Sequence, residues 1–144
     1  MVKVEWKGER IFEGHTDSGN RLRMNAAPDT TNRDRLPTPA EAFLAAGAAC
    51  SANHVLEILE NMHQRVTAYW VEAECEHPHA GPYPRPYVTV VLRHCLQGEN
   101  LDIRTCEHAI RLSDEKYCTE ISTLRGSAEI DSILEVKGEE GLLL

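Results

Sequence analysis

One segment constrains the fold of this chain more than any other: the stretch from Thr38 to about Gln64 reads as a single long helix. Thr38 has the chemistry of an N-cap, Pro39 suits the first helical position, and Glu41 completes a Thr-x-x-Glu capping box. Beyond that start, Phe43, Gly47, Cys50, His54 and Ile58 lie along one stripe at helical spacing, and Leu44, Val55 and Met62 form a second stripe beside it. Ala45 to Ala49 are all small, so another backbone can approach closely there. A helix apolar on several sides belongs at the centre of a fold. A chain of 144 residues has little left to cover it, which points to a second copy of the same chain.

The flanking segments supply strands. Val2, Val4 and Trp6 alternate with charged residues, Ile11 to Gly14 reads as a return strand, and Leu22, Met24 and Ala26 alternate again, which predicts a three-stranded meander. Ala27 to Thr38 has no periodicity and is a loop long enough to carry function. After the helix, Ala68 to Glu76 and Tyr87 to Leu96 read as longer strands joined by a proline-stiffened turn, His77 to Pro86. Leu101 to Tyr117 reads as a second amphipathic helix, Thr119 to Leu124 as a short helical piece, and Ala128 to Val136 as a closing strand. The order βββ–α–ββ–α–β predicts one α+β domain over residues 1–144, with 137–144 as a frayed tail. A chain of this length buries ~70% of its unfolded surface, enough for one core without staples.

Fifteen Lys and Arg against 23 Asp and Glu give a net charge of −8, which disfavours a phosphate backbone as partner. The N-terminus lacks the apolar stretch of a secretory signal, and the longest run without a polar residue, Ala42 to Cys50, is far short of a membrane span. Five cysteines, an odd count without a short-spaced framework, favour a reducing compartment. The expectation is a cytoplasmic homodimer without cofactor, resident metal, nucleic-acid partner or membrane contact.

Cys50 sits one helical turn before His54. It is read either as a small buried hydrophobe or as a reactive thiol. The helix dipole cannot activate it, because Cys50 lies about three turns from the N-cap and the dipole acts within the first turn. A thiolate here needs a cation, and His54, Arg33 and Arg35 are the nearest in sequence. His54 can equally be a neutral core histidine. Cys118 ends the second helix and taken alone is structural. Cys95, beside an outward His94 on its strand, and Cys106 read as core fillers. Cys75, His77 and His79 alternate as one strand face would, a possible three-ligand metal set that Pro78 argues against.

Thr38-Pro-Ala-Glu-Ala-Phe-Leu-Ala-Ala-Gly-Ala-Ala-Cys50 resembles the proline-to-cysteine entry to the central helix of the OsmC/Ohr superfamily. Asp114-Glu-Lys-Tyr-Cys118, with Leu124-Arg-Gly126 after it, resembles that group's second cysteine motif, and the Lys-Tyr-Cys form is similar to the OsmC-like branch called YhfA-like. The resemblance spans residues 2 to 136. It implies an OsmC-like fold in an intertwined homodimer, with sites at the interface. It also implies a thiol-dependent peroxidase that defends against organic hydroperoxides: Cys50 attacks the peroxide, Cys118 resolves the product to a disulfide, and a dithiol such as dihydrolipoamide reduces it. By the same resemblance Arg33, with Arg35 close by as the alternative, would stabilise the thiolate, and Glu41 would either orient that arginine or serve only as the helix cap. This chain departs from the pattern in having Ala40 where Ohr-type proteins carry the glutamate, and Thr119 where many members have proline. Those departures leave open an alternative, an OsmC-fold protein that binds a small apolar ligand at the dimer interface without efficient turnover.

Overall fold

The computed structural model of the chain describes residues 1–27 and 35–137. Its contacts divide it into two compact units, Met1–Phe43 and Leu44–Leu144. The first unit is the expected meander. Strands β1 (Val2–Trp6), β2 (Ile11–Thr16) and β3 (Arg21–Asn25) pair antiparallel in that order, with Glu5 opposite Glu13 and Glu13 opposite Arg23. Glu13 is buried on the central strand and paired with arginines, Arg23 Nε at 3.5 Å and Arg21 Nη1 at 3.7 Å, with His15 Nε2 3.1 Å away. The chain leaves Arg35 with φ at 48° and enters helix α1 (Pro39–Asn61). The capping box closes as the sequence predicts. Thr38 N–H donates to Glu41 Oε2 at 2.8 Å, and Glu41 N–H donates to Thr38 Oγ1 at 3.2 Å.

Helix α1 stops three residues short of the expected Gln64. His63 takes the left-handed conformation, φ 57°, and closes the helix as glycine usually does. Its N–H donates to Glu60 O at 3.0 Å, and Gln64 N–H reaches back to Leu59 O at 2.9 Å. Strand β4 (Arg65–Glu76) starts three residues earlier than expected. Strand β5 (Thr89–Glu99) begins and ends later than the alternation indicates. β4 and β5 run antiparallel with an irregularity between Val66 and Ala68, and β6 (Glu129–Lys137) joins β5 in parallel, giving the order β4-β5-β6. Gly98 makes this pairing possible, because a Cβ there would overlap the Arg65 carbonyl oxygen.

The expected second helix is two structures. Helix α2 (Ile103–Leu112) starts at Asp102, whose carboxylate accepts from Thr105 N–H at 2.9 Å, and residues Ser113–Tyr117 then form a π-helical turn. Helix α3 (Thr119–Leu124) follows directly. Two apolar clusters hold the second unit together. One joins Ala48 of α1 to Val90 and Leu92 of β5, to Cys118, and to Ile121 and Leu124 of α3. The other joins Val55 and Leu59 to Leu96, Cys106, Ala109 and Ile110. Cys106 and Cys95 are buried, in keeping with their reading as core fillers.

His94 corrects the sequence reading. It is fully buried, and its Nδ1 lies 2.6 Å from the hydroxyl of Tyr69 across the β4–β5 pair. Strand alternation puts it on the face of Val90 and Leu92, and burial pushes its pKa down to about 4. The end of strand β4 falls where Pro78 indicates. Cys75 is on β4, but the strand ends at Glu76 and the exposed His77 and His79 lie beyond it, with ring centroids 6.0 Å apart.

Candidate active site

Cys50 is half-buried on α1, against the cluster that contains Cys118. A pair of serines brings the two cysteines together. Ser51, the residue after Cys50, is buried, and its carbonyl accepts from Ser113 Oγ at 3.1 Å; the two hydroxyl oxygens are 3.4 Å apart. Ser113 opens the π-helical turn, and Cys118 N–H closes it on Ser113 O at 2.9 Å. The wider π turn sets where Cys118 emerges. There the backbone becomes extended, φ −78° and ψ 107°, and Cys118 serves as the N-terminal boundary of α3. Single π turns often occur at functional sites, and this one aims a cysteine.

Glu120, in the first turn of α3, completes the group. Its carboxylate oxygen and the sulfurs of Cys50 and Cys118 all lie within 4.8 Å of one another, with 4.0 Å between Cys118 Sγ and Glu120 Oε2. The electrostatics follow from this geometry. Burial pushes the Cys50 thiol up to about 12, reinforced by its hydrogen bond to the Glu120 carboxylate and by Cys118. The same bond from Cys50 holds the Glu120 carboxyl below its usual range, with a smaller contribution from His54. At neutral pH the pair is therefore a thiol donating to a carboxylate. His54 is half-buried, with its ring centroid 6.1 Å from that of Tyr117.

The other expected site residues fall elsewhere. Glu41 is exposed and engaged in the capping box. Arg33 lies outside the described residues. Arg35 is exposed. Ser51, Ser113 and Glu120 are the residues that sequence reasoning did not single out.

A family profile described as OsmC-like protein matches residues 31–132, a stretch that contains both cysteines and the helix entry. The chain belongs to the OsmC-like family. Within that family it is similar to protein YhfA of Escherichia coli K12, at 30% identity over 136 residues that cover 94% of this chain and 97% of YhfA. Among solved structures, an OsmC-like protein of unknown function from Vibrio cholerae superposes with a TM-score of 0.78 at 19% identity, covering 93% of this chain and 97% of that one. The organic hydroperoxide resistance protein OhrB of Bacillus subtilis superposes at 0.63 with 16% identity, over 93% and 97% of the two chains. Among the described residues α1 is the one helix long and apolar enough to cross a membrane by length and composition, with mean hydropathy 1.4 over its most apolar window. Gly47, Ala48, Ser51, Val55 and Leu59 are its buried residues.

Proposed function

We propose that this protein is a cytoplasmic thiol peroxidase that reduces organic hydroperoxides, with Cys50 as the attacking sulfur and Cys118 as the resolving one. The observation that carries the reading is the approach of two free thiols, one on α1 and one at the junction before α3, to within 4.8 Å. A disulfide needs about 2.05 Å between sulfurs, so side-chain rotation has at most ~3 Å to close. In the reaction the Cys50 thiolate attacks the distal peroxide oxygen and the O–O bond breaks. Cys50 becomes a sulfenic acid, and the departing alkoxide takes up a proton to leave as the alcohol. Cys118 then displaces water from the sulfenic acid, and a lipoamide-like dithiol reduces the disulfide by exchange. The thiolate requires a cation, because the neighbouring Glu120 favours the protonated form. Arg33 is assigned that role, with Glu41 orienting it.

The working form is a homodimer of single-domain chains. Only 28% of the most apolar window of α1 is buried within one chain, and Phe43 is 54% exposed, so a second copy is the natural cover. The alternative reading, an apolar-ligand binder, draws on a cavity of about 470 Å³ between α1 and β4 lined by Ala49, Ala52, Leu56, Val66 and Tyr69. One experiment separates them. The reduced protein is treated with one equivalent of an organic hydroperoxide and its peptides are mapped without reduction. Peroxidase chemistry gives a Cys50–Cys118 disulfide within seconds, lost in Cys50→Ser and reversed by dihydrolipoamide. Two free thiols after treatment refute it and leave the binding role.

A further inference from the structure

The site described above is anionic once its thiols ionise, and each of its three donor atoms is a metal ligand. Three points with no pair more than 4.8 Å apart all lie within roughly 2.8 Å of a common centre. Zinc bonds to sulfur at about 2.3 Å and to carboxylate oxygen at about 2.0–2.2 Å, so a contraction of about half an ångström per ligand closes the set. The supports are in place. Cys118 is fixed on both sides, its N–H on Ser113 O and its carbonyl accepting from Ser122 N–H at 3.0 Å. Cys50 is held by α1 and by the Ser51–Ser113 contact, and Glu120 is exposed and free to swing inward. Two sulfurs and one oxygen suit a borderline-soft ion that accepts tetrahedral geometry and disfavour magnesium or calcium, which take oxygen ligands.

We propose that Cys50, Cys118 and Glu120 form a zinc site, in which two thiolates and a carboxylate oxygen hold Zn²⁺ and water occupies the fourth position. Binding forms two Zn–S bonds and one Zn–O bond and releases the two thiol protons to solvent, so affinity rises with pH. The metal and the disulfide compete for the same sulfurs. A zinc-loaded chain is therefore closed to peroxide and protected from oxidation. The proposal rests on donor geometry and not on peroxide turnover, and either can fail alone.

The test titrates the full-length protein, reduced with a phosphine, with Zn²⁺ against a chromophoric chelator, and separately with Co²⁺ to read thiolate-to-metal charge-transfer absorption. The expected result is one ion per chain, proton uptake by the buffer, and a charge-transfer band. Cys118→Ser is expected to remove tight binding. Glu120→Gln, on the surface and harmless to folding, is expected to weaken it by on the order of 10–100-fold while the band per bound ion persists. The double variant His77→Ala/His79→Ala is expected to bind as the parent does. Parent-like binding by both Cys118→Ser and Glu120→Gln overturns the proposal, as does loss of binding in the histidine variant or the absence of a charge-transfer band. Glu120→Gln carries the test if Cys118→Ser does not fold. A hydroperoxide consumption assay on metal-free protein reports the peroxidase reading separately.

Discussion

Replacing Glu120 by glutamine tests the electrostatics of the site directly. In the parent, burial and the Glu120 carboxylate push the Cys50 thiol up to about 12, so at pH 8 the thiolate is a small minority. Burial is the larger cause and persists in the variant. What the substitution removes is the carboxylate that accepts from the thiol and repels the thiolate. An adjacent charge is worth about one to three pKa units, and the lower end applies to a carboxylate as exposed as Glu120. A fall of about one unit raises the thiolate population about tenfold. Each thiolate becomes a weaker nucleophile as its pKa falls, by about threefold per unit, so Cys50 alkylation at pH 8 should be about threefold faster in Glu120→Gln. The assay is iodoacetamide labelling quenched over time, with the Cys50 and Cys118 peptides resolved by mass. A Glu120→Gln rate equal to or below the parent's refutes the assignment of Glu120 as the carboxylate that adds to burial in holding Cys50 protonated.

Three further outcomes test the packing around the site. Gly47→Ala should stabilise the protein by about 0.5–1 kcal/mol in urea denaturation, since the added methyl would stand 3.6 Å from Leu124 Cδ1 in ordinary contact and the helix gains propensity. Gly98→Ala should destabilise it by about 2 kcal/mol or more, because the methyl meets the Arg65 carbonyl oxygen and stands 2.9 Å from Leu101 Cδ2. His94 makes stability depend on pH with a defined sign. Its folded pKa near 4 is below the ordinary 6.5, so between those values the unfolded chain binds a proton that the folded chain does not. Stability from this group is complete above pH 6.5 and falls as pH drops toward 4, by about 3 kcal/mol in all. Urea midpoints at pH 7 and pH 4.5 should converge in His94→Gln relative to the parent; an unchanged difference refutes the account.

The start of α1 was legible because a capping box is local: Thr38, Pro39 and Glu41 specify it within four residues, and the bonds form as expected. Its end was not, because His63 occupies the left-handed position that glycine or asparagine would have announced. The π turn at Ser113–Tyr117 kept the helical composition of Leu101 to Tyr117 and changed only the hydrogen-bond register, which no periodicity records. His94 was misread because a polar residue in a strand is assigned outward unless its partner is known, and Tyr69 is on another strand. Both cysteines were found by motif. Glu120 was invisible for a different reason: an acidic residue beside a cysteine reads as surface until folding brings it to a thiol seventy positions earlier.

The presence of Glu120 changes what must be supplied for this site to react. A carboxylate that accepts from the thiol stabilises the reduced, protonated pair and cannot by itself deprotonate Cys50, since the thiol lies near 12 while the carboxyl is held below its usual range. Transfer of the proton within that pair is therefore strongly uphill. A cation removes the obstacle in either of two ways. A guanidinium, the role proposed for Arg33, neutralises the carboxylate and pairs with the thiolate while leaving a sulfur lone pair for peroxide. A zinc ion neutralises the same charges but takes that lone pair into a bond and silences the sulfur. Whether the two thiols work as a redox couple or as a metal clamp thus depends on which cation meets the Glu120 carboxylate, and Glu120→Gln should weaken zinc binding while it speeds Cys50 alkylation.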